Sequence, residues 1–94
     1  MFIVRLIYKK PLAEVKRHLA AHREYLDRHY ADGTFLCSGP QNPRSGGIIL
    51  CRTAARAAAE ALTCDDPFRI HGVADYEIIE FSPTKHLPGF EAFL

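Results

Sequence analysis

The chain has 94 residues, 48% of them hydrophobic, and a formal net charge of +1 at pH 7. This length allows one domain with a single modest core, and the interleaved charges lack the basic cluster typical of nucleic-acid-binding proteins. The three cysteines are an odd number without a CxxC pair, which indicates reduced thiols in a cytoplasmic protein. The apolar start, residues 1–8, is too short to span a membrane, so we expect neither nucleic acid nor a membrane as a partner.

The first half of the chain predicts a strand, a long helix and a second strand. Residues 2–8 are apolar on both faces, as in a strand that is covered on both sides. A proline at the first position suits a helix over residues 11–31, which Gly33 ends. Residues 34–38 predict a short second strand, and the glycines and prolines of residues 39–46 predict a connecting loop.

The second half of the chain predicts two further strands and two helices. Residues 47–52 predict a third strand, after which Thr53 caps a helix over residues 54–62. Asp66 stands before a proline and fits the N-cap of a short third helix, and residues 73–81 predict the last strand. The order β-α-β-β-α-β predicts an α+β fold of the ferredoxin-like kind, a four-stranded antiparallel sheet with its helices on one face.

The other face of the predicted sheet has no cover within the chain. It carries apolar side chains such as Ile3 and Ile7, so we expect a homodimer in which two sheets pack face to face. Residues 83–94 are irregular but keep several large apolar side chains. We expect this tail to dock on the domain formed by residues 1–82 or on the dimer partner.

One polar residue interrupts the apolar stripe of the predicted long helix. His22 lies in the middle of this stripe, whose other members are Leu12, Val15, Leu19, Leu26 and Tyr30. Leaving a buried imidazole unpaired costs about 1–3 kcal/mol, so His22 needs a partner. It is either a core histidine bonded to a backbone carbonyl or a general acid/base held by a carboxylate. Asp66 is the best candidate carboxylate, and helix capping alone explains it equally well.

The remaining polar residues allow weaker predictions. Ser38 lies outside any GxSxG motif, but it is a plausible hydrogen-bonding neighbour of His22. Arg5 can receive an anionic ligand between the sheets or form a salt bridge at the rim. His18 and His22 have a spacing compatible with a metal, yet no acidic third ligand is near, so we expect no metal. Cys37 and the other strand cysteine, Cys51, are expected to be buried, and no cofactor motif is visible.

Several short motifs together resemble the YCII (YciI-like) family over residues 1–82. The motifs are His22 in the long helix, Asp32-Gly33 at its end, Ser38-Gly39-Pro40 after the second strand, and Asp66-Pro67-Phe68 before the last strand. The resemblance implies a dimeric α+β barrel with a small cleft that contains a His–Asp pair. In this chain the pair is His22 and Asp66, with Ser38 near them.

The resemblance also implies a range of functions. One branch of the family is known for dehydrochlorination of a chlorinated hydroxyquinol. We therefore expect a small enzyme that uses the His–Asp pair for elimination, dehydrochlorination or isomerisation of a small cyclic or aromatic compound, without a cofactor. Expected substrate contacts are Ser38, Gly39, Pro40, Arg5 and Phe68. The alternative is a non-catalytic module that binds a small molecule or serves a larger assembly; no specific residue supports a monooxygenase of the same barrel type.

Overall fold

Four strands form one antiparallel sheet, and the strands and helices follow one another in the predicted order, except that two helices replace the predicted long one. A computed structural model describes residues 1–94. The elements are β1 (Phe2–Tyr8), α1 (Leu12–Arg17), α2 (Leu19–Ala31), β2 (Phe35–Pro40), β3 (Gly46–Cys51), α3 (Arg56–Cys64), α4 (Pro67–Ile70), β4 (Ala74–Glu80) and a short 3-10 helix (Phe90–Phe93). The sheet order is β2-β3-β1-β4. The predicted α+β fold class, with its four-stranded antiparallel sheet, is confirmed.

The core lies between the helices and one face of the sheet. Along β1, Phe2, Val4 and Leu6 are buried, whereas the residues between them are more exposed, because successive side chains of a strand point to opposite faces. Twelve buried apolar residues form this core: Phe2, Val4, Leu6, Val15, Tyr25, Phe35, Ile49, Cys51, Ala59, Phe68, Val73 and Ala74. The core therefore holds α2 and α4 against the same face of the sheet.

The predicted long helix is two helices, and its buried residues differ from the predicted apolar stripe. The break falls at His18, whose φ of −107° and ψ of 6° lie outside the helical range. A wheel drawn across a break does not keep its angular phase, so Leu12 on α1 is out of phase with the stripe on α2 and is 39% exposed. Tyr30, at the last turn of α2, is 38% exposed. Tyr25, which the predicted stripe omits, is one of the most deeply buried side chains of the chain.

Three smaller predictions are also wrong. β2 continues through Gly39-Pro40, which an edge strand tolerates because Pro40 has no N–H to leave unpaired. Cys37 is exposed, because it pairs with a β3 residue on the face away from the helices. The helix predicted over residues 54–62 is α3 and begins at Arg56. Thr53 does not cap it, and its hydroxyl donates instead to the backbone carbonyl of Ala55.

The face of the sheet opposite the helices is apolar and uncovered within the chain. Ile7, Ile48 and Ile79 on this face are 36%, 36% and 44% exposed. The tail has one hydrogen bond to the end of β3, from Arg52 Nη1 to the carbonyl oxygen of Ala92 at 3.2 Å. The docking of the tail and the dimer remain predictions. No helix combines the length and the apolar character needed to cross a membrane.

Candidate active site

The structure brings His22 and Asp66 into direct contact, although they are 44 positions apart in the chain. His22 Nδ1 lies 2.8 Å from Asp66 Oδ1. α2 carries the histidine, and Asp66 immediately precedes α4, which packs against α2. Asp66 is completely buried and His22 is 8% exposed, so the pair lies at the edge of the core.

Asp66 is both the cap of α4 and the partner of His22. Its Oδ1 accepts the backbone N–H of Phe68 at 3.0 Å, as an N-cap carboxylate does, and Pro67 fills the first helical position. The hydroxyl of Tyr76 on β4 donates to its Oδ2 at 2.5 Å. Burying a charge is costly unless it is paired and hydrogen-bonded, and here donors from three elements meet the carboxylate.

These contacts fix the tautomer of His22. Because Asp66 accepts from two other donors, its bond to His22 is best made by a protonated Nδ1, which leaves the lone pair of a neutral imidazole on Nε2. Nε2 has no hydrogen-bond partner in the chain. Because every buried side-chain nitrogen and oxygen of the protein does have a partner, Nε2 is not one of the buried atoms and is accessible. The Phe68 ring stacks on the imidazole with centroids 4.0 Å apart and planes 6° apart. Asp66 and Phe68 therefore hold the His22 imidazole in one orientation, with its Nε2 accessible.

Two tyrosines pack around the pair as permanent donors. Tyr76 is partly buried, and removal of its hydroxyl from water raises its pKa well above the usual tyrosine value, with the negative charge of Asp66 adding to the effect. Burial also raises the pKa of Tyr25, whose hydroxyl donates to the carbonyl oxygen of Leu62 at 2.8 Å. Both hydroxyls therefore stay protonated, and Tyr76 keeps donating to Asp66 at any ordinary pH.

His22 lines a cavity of about 310 Å³ between α2 and the β2–β3 half of the sheet. The lining residues are Leu6, Tyr8, Leu19, His22, Arg23, Leu26, Ser38, Gly39, Pro40, Arg44, Gly47, Ile48, Ile49 and Phe68. Four of the five predicted substrate contacts are in this set. Ser38 Oγ also lies 2.5 Å from the hydroxyl of Tyr30, which holds the serine in place at the wall of the cavity.

Arg5 lies apart from this cavity. It alternates with the buried residues of β1 and therefore points to the uncovered face, where its Nη1 is 3.6 Å from Glu77 Oε2. A salt bridge was one of the two possibilities that the sequence left open, although this one lies within the uncovered face and not at its rim. A role for Arg5 between two packed sheets depends on the predicted dimer.

The histidines do not gather into a metal site. The chain has no group of three or more His, Cys, Asp or Glu side chains placed to hold a metal ion. The imidazole of His18 stacks on that of His71, with centroids 4.0 Å apart and planes 13° apart.

Three residues of the site escaped the sequence analysis. Tyr76 alternates with Ala74 along β4, and this alternation was the available signal that its side chain faces inward. Arg23 follows His22 directly, and Arg44 lies in the β2–β3 loop; nothing in the sequence marks either as part of the cavity wall.

The four-stranded sheet, its helices and the His22–Asp66 contact define a small α+β protein of the ferredoxin-like class. The model of the YCII-related domain matches residues 1–82, and the chain belongs to this family. A comparison of the sequence with curated proteins found no match.

A solved structure has a similar fold. It is the 5-chloro-2-hydroxyhydroquinone dehydrochlorinase TftG from Burkholderia phenoliruptrix AC1100, in complex with 2,5-dihydroxybenzoquinone. The TM-score is 0.72 at 17% sequence identity, and the match covers 87% of this chain and 94% of that one. The similarity confirms the fold.

Proposed function

We propose that this protein is a small enzyme in which His22 is the general acid/base and Asp66 holds it. The observation that carries the proposal is the bond between His22 Nδ1 and the buried Asp66, which leaves an accessible Nε2 at a cavity. An imidazole that is oriented by a carboxylate and opens into a cleft is the usual arrangement of a catalytic base.

The reaction class we propose is elimination, dehydrochlorination or isomerisation of a small cyclic or aromatic compound. Nε2 takes a proton from the substrate, and the electron pair left behind forms a new double bond. In an elimination the leaving group departs with its own electron pair; in an isomerisation the imidazolium returns the proton at another atom. Asp66 stabilises the imidazolium without itself being protonated.

Four further observations favour a flat ring as the substrate. Phe68 and the imidazole are parallel, so the wall beside Nε2 is planar, and the lining is largely apolar at Leu6, Leu19 and Leu26. The structurally similar TftG is described as a dehydrochlorinase in complex with a dihydroxybenzoquinone. A cavity of about 310 Å³ suits a single-ring compound.

The test is His22→Gln against a panel of chlorinated and hydroxylated ring compounds, beginning with 5-chloro-2-hydroxyhydroquinone. Wild type should release chloride from, or isomerise, at least one compound, and the variant should lose about 10²–10⁴-fold in kcat. His18→Gln is the matched control, because His18 lies one turn away and does not line the cavity. It should keep full activity.

The same variants separate the enzyme from a binding module. A binding module converts no compound of the panel even as wild type, and His22→Gln then only lowers its melting temperature, because the pair is structural. Full activity of the His22→Gln protein on any compound that the wild type converts contradicts the proposed function.

A further inference from the structure

Two arginines of the cavity wall have no partner within the chain. Arg23 on α2 and Arg44 in the β2–β3 loop both line the cavity, and neither forms an ion pair or a side-chain hydrogen bond. Most other arginines are engaged: Arg5, Arg17 and Arg56 with glutamates, Arg52 with backbone carbonyls and Arg69 with Thr63. Two arginines without a partner therefore line one cavity from separate elements.

The cavity wall contains no negative charge to offset them. None of its lining residues is an aspartate or a glutamate, and Asp66 is sealed behind His22 with no exposed surface. A cleft lined by charge of one sign attracts ligands of the opposite sign. Guanidinium groups bind planar oxyanions through pairs of parallel N–H donors.

We propose that the ligand of this cavity is a single-ring compound that carries a delocalised oxyanion, bound by Arg23 and Arg44 beside His22. The proposal deepens the proposed function, on which it rests for the identity of the site. The oxyanion is a ring carboxylate or an ionised phenol or enol. With the anion held by the arginines, the ring lies against the apolar wall and a proton of the ring compound reaches Nε2.

The experiment measures dissociation constants by NMR titration, with ligand pairs that match in shape and differ in charge. One arm compares benzoate with benzamide, and the other compares 4-nitrophenolate with 4-nitroaniline at pH 8. In at least one arm the anion should bind about tenfold more tightly than its neutral counterpart, as expected for a charge-assisted contact. The arm that shows the preference identifies the source of the oxyanion.

Variants assign the preference to the two arginines. Arg23→Gln and Arg44→Gln should each reduce it at least several-fold, with little change in affinity for the neutral ligand. Arg28→Gln is the matched control: Arg28 is also exposed on α2 and has no partner, but it does not line the cavity. Equal affinity for both members of both pairs, failure of every anion to bind at millimolar concentration, or a preference that both variants retain overturns the proposal.

The outcome is separable from that of the proposed function. His22→Gln should lower turnover by the same factor of about 10²–10⁴ and keep the preference for the anion. Loss of turnover in that variant without any charge preference in wild type refutes the anion proposal alone. A preference that depends on the arginines, together with full activity of His22→Gln, refutes the catalytic proposal alone.

Discussion

At the scale of single residues, Asp66 shows how one side chain serves a helix and a candidate catalytic group together. Capping needs one carboxylate oxygen at the start of α4, and a carboxylate can accept further donors in other directions. Oδ1 meets the N–H of Phe68 and His22 Nδ1, while Oδ2 meets Tyr76. The two explanations that the sequence offered for Asp66 are therefore compatible.

Each member of the pair could be singled out from the sequence, whereas their contact was implied only by the family resemblance and their surroundings could not be predicted. A lone polar residue on an apolar stripe and an Asp-Pro cap are local patterns, so His22 and Asp66 stood out. The position of Tyr76 depends on the register of β4 against β1, and the position of Arg44 depends on the path of the β2–β3 loop. Alternation along β4 indicates only that Tyr76 faces inward. Its contact with Asp66, like the position of Arg44, depends on tertiary packing, which a local pattern does not encode.

We predict that Tyr76→Phe destabilises the fold. The variant removes the donor to Asp66 Oδ2 and leaves a buried carboxylate oxygen unpaired, which costs about 1–3 kcal/mol. Urea unfolding at pH 7 measures the change. Tyr30→Phe is the control, because its hydroxyl bonds to Ser38 at an exposed position and should matter much less for stability.

The same variant has a signature at high pH. Burial and Asp66 raise the pKa of Tyr76 in the folded state, whereas a tyrosine in the unfolded chain titrates near pH 10. This contribution to stability is complete below about pH 10 and is lost as pH rises above it, by up to about 1.4 kcal/mol per pH unit. Tyr25 adds a similar loss. Tyr76→Phe should flatten the decline above pH 10, and an unchanged slope contradicts the assignment.

At the scale of elements, the sequence predicted which strands and helices form better than it predicted the residues at which they begin and end. The four strands follow from runs of β-branched and aromatic residues, and α4 follows from its cap. The break at His18 has no breaker residue, so no local signal marked it. The burial of Tyr25 depends on α3, because the Tyr25 hydroxyl donates a hydrogen bond to the backbone carbonyl of Leu62 on that helix.

We predict that Gly46→Ala is strongly destabilising. β3 begins at Gly46, where a Cβ would overlap the backbone carbonyl of Leu6 on β1. Backbone cannot move aside as a flexible side chain can, so overpacking should cost at least about 2 kcal/mol. Gly39→Ala on β2 is the control, since a Cβ there meets nothing within 4 Å. Equal midpoints of thermal unfolding for the two variants contradict the prediction.

At the scale of the whole molecule, all helices lie on one side of the sheet and an apolar surface remains on the other. Ile3 on β1 pairs with Ile79 on β4, and Ile48 and Leu50 continue the surface on β3. The ion pair of Arg5 and Glu77 lies among them. An apolar sheet face of this kind is a typical interaction surface. The sequence predicted this face from the alternation in the first strand.

We propose that a second copy of the chain covers this face, and we predict that Ile79→Glu gives a monomer. The variant would place an unpaired charge in the sheet-to-sheet interface, which costs several kcal/mol. Ile70→Glu is the control, since Ile70 is 64% exposed on α4, on the helix side. Light scattering after size exclusion should give twice the chain mass for wild type and the control, and the mass of one chain for Ile79→Glu. A wild-type protein that is monomeric at micromolar concentration contradicts the dimer.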